Sequence, residues 1–418
     1  MRIGIDASNL RSGGGLTHLS ALLAHADAHE AGIEQIVVWG PRATLDRLAP
    51  QPWLVKTACP ELDGSSAARI SWRRRSLPEL AQAECDILFA PGGLCTNRFH
   101  PVVTMSRNML PFQWREMARY GPSRMLARLA LLRFLQQRSL RTADGVIFLS
   151  QFAKQAVTRA TGPLAGKTAV IPHGVAERFF KPPRPQRALS DYSAARPLRL
   201  LCTSIVDVYK HQWHVAEAVA QLRREGLPIA IEFVGDSYPQ AARRLMRALR
   251  RHDPEGKFLT LAGPVDHSAL PDRYYAADAF VFASSCENLP NILLEAMASG
   301  LPIACSSRGP MPEVLGTGGL YFDPLKPTEI ADALRQLVTG ATVRSRLAAE
   351  AYERAPHFSW TSCAQTTFQF LRDVLEANRN DGAPSARPTA LGGHVRSSAE
   401  SGMPTQSRGH GTHPFSDV

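Results

Sequence analysis

The chain has 418 residues, 44% of them hydrophobic, and 48 Lys and Arg against 37 Asp and Glu give it a net charge of +11. It is too long for one ordinary domain and apolar enough to be globular, which predicts two domains with an extension. The charge favours an anionic partner, whether nucleotide, phospholipid surface or nucleic acid, and does not choose among them.

The chain opens on an apolar run, "RIGIDAS" at 2–8, with no secretory h-region before it. Short apolar runs then alternate with helical patterns, the signature of a parallel α/β architecture. In the first half the expected strands are "RIGIDAS", "QIVVWG", "DILFAP", "PVVTMS", "GVIFLS" and "TAVIPHG". In the second they are "LRLLCTSI", "IAIEFVGD", "FLTLAGPV", "AFVFASS", "PIACSS" and "LYFDP". Each set suffices for one doubly wound sheet. The segment 181–197, "KPPRPQRALSDYSAARP", is rich in Pro and Arg without periodicity and reads as a linker. The expected organisation is an acceptor-side domain at 1–180, the linker at 181–197, a second domain at 198–357, a final helix at 358–377 and a tail at 378–418. The tail is dominated by Gly, Ser, Pro, Arg and Thr and reads as disordered, its His394, His410 and His413 as solvated side chains.

Seven scattered cysteines, never C-x-x-C, argue against a disulfide framework and a zinc site. There is no D-x-D and no H-E-x-x-H, so neither a metal nor a cofactor is expected. No apolar run is long enough to span a bilayer. These features predict a cytoplasmic protein.

Three stretches carry chemistry. The first is "IDASNLRSGGGLTHL" at 5–19, where Gly13, Gly14 and Gly15 permit a tight turn and close approach of backbone to a ligand. It does not satisfy G-x-G-x-x-G, because the sixth position is His18. Thr17 and His18 are ligand candidates there, with His18 equally readable as a packed residue. The second is "PVVTMSRNMLPFQWREMARYG" at 101–121, a strand whose end presents Arg107 and Asn108. The third is "SSCENLPNILLEAMASGLPIA" at 284–304. Here Glu287 lies in a loop at a strand end, Pro290 fits the first turn of a helix, Glu295 lies a turn or more into that helix, and Gly300 closes it. A helix N-terminus attracts phosphate, and carboxylates accept charge-assisted bonds from sugar hydroxyls. On the spacing alone, the two glutamates read first as a surface loop charge and an exposed helix position. Arg124, Arg128, Arg133, Arg138 and Arg141 interleave with Leu and Phe over 121–145, which reads either as a membrane-surface helix or as an ordinary packing helix.

The third stretch resembles the E-x7-E segment of the retaining glycosyltransferases of family 4, and the likeness continues through "MPEVLG" and "LYFDP" to residue 324. The resemblance implies a GT-B fold: two Rossmann-like doubly wound domains facing across a cleft, with a C-terminal helix crossing back. It implies that Glu287 holds hydroxyls of the transferred sugar and Glu295 the nucleotide ribose. Leu289, Asn291 and Ile292 offer backbone amides to the diphosphate or sugar, and Asn288 and Pro290 stand where the common form has E-G-F-G. "LLCTSIVDVYKHQ" at 200–212 is similar to the family's diphosphate loop, with Lys210 as the family lysine and the usual arginine missing. Gly263 and Val265 would shape the base pocket, and Asp266 or His267 reads as a helix cap. Gly14 and Gly15 would approach the donor phosphate. Arg107 and Asn108 stand where many members have a cleft histidine. The expected activity is metal-independent transfer of a hexose from a nucleoside diphosphate sugar to a glycan or lipid-linked acceptor. The "YKHQ" and "ENLPN" forms resemble bacterial enzymes using GDP-mannose or GDP-rhamnose for lipopolysaccharide O-chains. Peripheral contact with an anionic membrane fits such an acceptor, whereas no nucleic-acid module is present. The rival expectations are a nucleotide-sugar 2-epimerase on the same fold and a non-catalytic nucleotide-sugar binder.

Overall fold

A computed structural model describes residues 1–11, 13–95 and 98–380. The first half forms a seven-stranded, all-parallel sheet in the order β3-β2-β1-β4-β5-β6-β7. Its strands are β1 (Arg2–Asp6), β2 (Gln35–Gly40), β3 (Leu54–Ala58), β4 (Ile87–Ala90), β5 (Val102–Ser106), β6 (Gly145–Phe148) and β7 (Lys167–Val170). The second half forms a six-stranded parallel sheet in the order β10-β9-β8-β11-β12-β13. These strands are β8 (Leu198–Thr203), β9 (Ile229–Val234), β10 (Leu259–Gly263), β11 (Ala279–Phe282), β12 (Ile303–Ser306) and β13 (Gly319–Phe322).

The central strands β4, β5, β6, β11 and β12 are buried at every position, as strands covered on both faces must be. All twelve expected strands are present. The seventh strand of the first sheet, β3, was not expected, because an edge strand of mixed sequence with half-exposed positions carries no continuous apolar signal.

Eight of the helices flank the crevice or join the domains: α1 (Gly13–Ala24), α2 (Trp114–Met117), α3 (Arg124–Thr142), α4 (Gln151–Thr161), α5 (Gln212–Arg224), α6 (Asn291–Ala298), α7 (Met311–Leu315) and α8 (Trp360–Asn380). Helix α8 crosses back onto the first domain. Lys167 Nζ donates to Asp373 O across 2.9 Å, and Val374 and Phe370 pack where a Cβ on Gly145 would sit. The two parallel sheets and the returning helix make this a GT-B fold. Because α8 runs to Asn380, residues 378–380 are helical rather than tail. The remainder of the expected tail, with His394, His410 and His413, lies outside the described residues.

In each sheet the strand order reverses once, between β1 and β4 and between β8 and β11. Loops leaving the carboxyl ends of strands diverge at such a switch point and open a crevice. The glycine loop follows β1, the Lys210 loop follows β8, and the Glu287 loop follows β11, so all three lie at switch points. Side chains from both domains meet there. Asn288 Nδ2 donates to Ser106 O at 2.8 Å, and Ser150 Oγ donates to Asn288 O at 2.8 Å. Glu313 on α7 accepts from the N–H groups of Gln151 and Phe152 at 2.7 and 2.9 Å, capping α4 from across the crevice. The linker is tied down as well: Lys181 N donates to Ala298 O at 2.9 Å. The fully buried guanidinium of Arg344 donates to Val338 O, to Arg187 O and to Gln186 Oε1.

Candidate functional site

Lys210 and Glu287 are in direct contact: the ammonium donates to Glu287 Oε1. Both are largely buried, and the ammonium also lies 5.3 Å from the Tyr209 ring centroid and 5.2 Å from that of Phe282. The two ring faces offset part of the cost of burying the ion pair. Tyr209 is held by its carbonyl, which accepts from Ser285 N at 2.8 Å and so joins the loop after β8 to the loop after β11.

Helix α6 begins at Asn291. Pro290 is its flanking N-cap residue rather than part of its first turn, with φ −82° and ψ 99°. Its missing N–H leaves no gap in either position, and the amides of Asn291 and Ile292 have no intrahelical acceptor. Gly300 ends the helix at φ +62°, where a Cβ would meet Lys181 O at 2.6 Å. Glu295 points inward and is 6% exposed. Its Oε2 accepts from Tyr274 OH at 3.0 Å, and its Oε1 lies 3.3 Å from His267 Nε2. Tyr274 OH is also 2.7 Å from Thr203 Oγ1, at the end of β8. The carboxylate is therefore held in place with a half-exposed histidine on its open side. Asp266 makes no side-chain capping bond, so neither it nor His267 serves as the expected cap. The backbone alone starts that short turn, and the His267 ring is spent on Glu295 and Arg178.

The remaining expected residues divide. Asn288 is 6% exposed and bonded to Ser106 O, so its side chain ties the domains together. Asn108 Oδ1 accepts from Leu110 N at 3.0 Å, which commits it to a local turn. Asn291 Oδ1 lies 3.1 Å from His173 Nδ1. Leu289 is 8% exposed and belongs to the core, and Val265 packs against the same core. Ile292 O lies 3.2 Å from Tyr274 OH. Gly263 sits at φ +75° at the end of β10, and its carbonyl accepts from Gly235 N at 2.9 Å.

Arg107 lies against the glycine loop. A Cβ on Gly15 would meet its Nη1 at 2.8 Å, and one on Gly14 its Nη2 at 3.7 Å. Its Nε is buried without a partner, and no carboxylate pairs with it among the described residues. Burial pushes its pKa down to about 10, which leaves it a cation at neutral pH. Beside it, His18 is fully buried, stacks on His173 at 4.7 Å, and has no partner at either ring nitrogen. Burial, the neighbouring ring and Arg107 together hold the His18 pKa well down. Burial takes His173 down to about 3. Trp360 covers His173 at 5.5 Å, so His18 and His173 are packed neutral rings. Thr17 Oγ1 donates to Gly13 O at 3.3 Å within the exposed start of α1.

The sequence did not single out Glu116, Tyr120, Ser285 or Tyr274. Ser285 Oγ donates to Glu116 Oε2 at 2.6 Å, and Tyr120 OH donates to Asp207 Oδ1 at 2.9 Å, both across the crevice. Among the described residues, no group of His, Cys, Asp and Glu is arranged to hold a metal ion.

Residues 197–340 match the family described as glycosyl transferases group 1. The group 1 stretch contains Lys210, Glu287 and Glu295 together with all six strands of the second sheet. The chain is 26% identical to the D-inositol 3-phosphate glycosyltransferase of Kineococcus radiotolerans over 264 residues, 58% of this chain and 60% of that protein. It is 33% identical to the O-antigen chain mannosyltransferase B of Escherichia coli over 123 residues, 29% of this chain and 32% of the relative. The similarity thus spans less than two thirds of either curated relative. Among solved structures, Anabaena HepE in complex with UDP and glucose superposes with a TM-score of 0.65 at 18% identity, over 89% of this chain and all of that one. At that identity the likeness shows the shared fold.

Proposed function

We propose that the protein is a retaining, metal-independent glycosyltransferase. In this reading it moves a hexose from a nucleoside diphosphate to a hydroxyl of a polysaccharide or lipid-linked acceptor. The observation that carries the reading is the Lys210–Glu287 pair at the switch point of the second sheet, with Glu295 in the helix after it. A ligand with a phosphate next to a hydroxylated ring engages both members of the pair, the phosphate taking the ammonium and the hydroxyls the carboxylate. Glu295, held by Tyr274, accepts from the ribose hydroxyls.

In this reading each position has a part in the reaction. The bond from the sugar anomeric carbon to the diphosphate oxygen breaks, and negative charge grows on the leaving diphosphate. Lys210 and the first amides of α6 stabilise that charge from the second domain. Arg107 and the amides of Gly14 and Gly15 face it from the first, so Arg107 takes over the work of the arginine missing after β8. The acceptor oxygen bonds to the anomeric carbon on the face the diphosphate leaves, and the acceptor proton passes to a diphosphate oxygen. Asn108 Oδ1 and Asn288 Nδ2 are already committed to a turn and to Ser106 O, which leaves these residues positioning work.

The likeness to a mannosyltransferase of O-antigen chains supports a mannosyl donor and an O-antigen-type glycan product. UDP and glucose in HepE support the wider class of nucleotide-sugar donors. No helix among the described residues is long and apolar enough to cross a membrane. On the first domain, however, Trp114, Leu131 and Phe134 are 61, 59 and 63% exposed, with Arg115, Arg124 and Arg138 exposed on the same two helices. That surface supports peripheral contact with an anionic membrane at its cytoplasmic face. Titration with a panel of nucleoside diphosphate sugars tests the donor assignment. The expected result is binding of GDP-mannose or GDP-rhamnose in preference to UDP-sugars, and the absence of binding by every member would remove the reading.

A further inference from the structure

We propose that Glu116 is a positioning residue for Lys210, gripping the 207–211 loop from the opposite domain together with Tyr120. The loop is held at both ends. At its start, Asp207 Oδ1 accepts from Tyr120 OH at 2.9 Å and from Val208 N at 2.6 Å, while Lys210 N donates to Asp207 O at 3.0 Å. At its end, His211 Nε2 lies 2.9 Å from Ser285 Oγ, which is 2.6 Å from Glu116 Oε2.

The proton count fixes the direction of this chain. A serine hydroxyl has one proton, and the shorter contact takes it to the carboxylate, so His211 donates its Nε2–H to Ser285. Burial, reinforced by nearby cations, pushes the His211 pKa down to about 3, so the ring is neutral and carries a single N–H. Its Nδ1 is then a bare acceptor, and no donor reaches it among the described residues. His211 is also the one non-glycine residue with positive φ among those described, at +51°. A histidine in that region is held there by its surroundings, and here they include the Ser285 bond. Lys210 directly precedes it.

Glu116 itself is 3% exposed, and its hydrogen-bond partners are Arg119, at 2.6 Å, and Ser285. A carboxylate buried at this depth has to be matched by donors, and one of its two lies in the other domain. Met117 and Tyr120 lie in the buried cluster of the second sheet. The 116–120 segment, although it comes from the first half of the chain, is therefore packed beside the loop it holds, and loss of the Ser285–Glu116 and Tyr120–Asp207 bonds would release the loop at both ends.

Hydrogen exchange tests the grip without requiring any activity. Glu116→Ala should raise exchange of the amides of 207–211 by about tenfold or more, with β8 and the later turns of α5 unchanged. Glu116→Gln keeps an oxygen for Ser285 and should raise it by less than about threefold. Unchanged exchange in Glu116→Ala, or an equal rise across the whole second domain, would overturn the proposal. The catalytic arm rests on the transferase reading. Glu116→Ala should lower kcat about tenfold with KM within about twofold, and should change kcat less than about twofold in a Lys210→Ala background. Equal fractional losses in both backgrounds would overturn the positioning role. If the unaltered protein transfers no sugar, the transferase reading falls and the exchange result still decides the grip.

Discussion

Lys210→Ala is expected to lower turnover by about two to three orders of magnitude, the scale of removing one preorganised charge contact to a developing anion. The geometry makes the lysine hard to replace. Its ammonium lies near the rings of Tyr209 and Phe282 and is fixed on Glu287. Arg107 is the other cation aimed at the same region, but it belongs to the opposite domain and sits behind Gly14 and Gly15. Its contribution is added to that of Lys210 and does not substitute for it. The loss should appear in kcat more than in donor affinity, because the charge on the leaving group grows only as the bond breaks. Thermal denaturation of the variant separates this effect from the destabilisation caused by an unpaired Glu287. A loss of less than about threefold in kcat would refute the assignment.

Glu295→Gln is expected to weaken donor binding by about tenfold to a hundredfold, the range for hydrogen bonds to a charged acceptor. The substitution is nearly isosteric. Tyr274 OH can still donate to the amide oxygen, so the helix and its packing should survive. What the substitution removes is the charge that, in the proposed role, draws ribose hydroxyls. The effect belongs in the donor dissociation constant, measured by titration, with a smaller effect on kcat at saturation. Unchanged affinity would count against a ribose contact and leave Glu295 as a structural partner of Tyr274 and His267.

The fold was legible because the middle strands of a parallel sheet are buried on both faces and appear as unbroken apolar runs, such as "DILFAP" and "AFVFASS". The edge strand β3 was not, since "LVKTA" mixes polar and apolar positions and is only half covered. The carboxylates and lysine stood out only through the family resemblance around them, because a loop or helix carboxylate read alone looks solvent-exposed, whereas Glu295 and Glu287 are largely buried. The contacts that position them were not legible. Glu116 reaches Ser285 across 169 residues of sequence, from a four-residue helix too short to show any periodicity. Tyr274 stands 21 residues before the glutamate it holds, and in the sequence it is one more aromatic residue on an amphipathic helix. Asn108 and Asn288 look in sequence like free polar groups at a strand end and a loop. Only the assembled chain shows that one serves a turn and the other the domain interface.

The central claim is transfer of a sugar with retention of configuration, and it is tested most directly by incubating the preferred nucleotide-sugar with the protein and a hydroxylated glycan acceptor. Proton NMR then tracks the anomeric signal. The account predicts release of the nucleoside diphosphate together with a new glycosidic linkage of the same anomeric configuration as the donor. An isomerised sugar still attached to its nucleotide, or donor that binds and is returned unchanged with every acceptor, would contradict it.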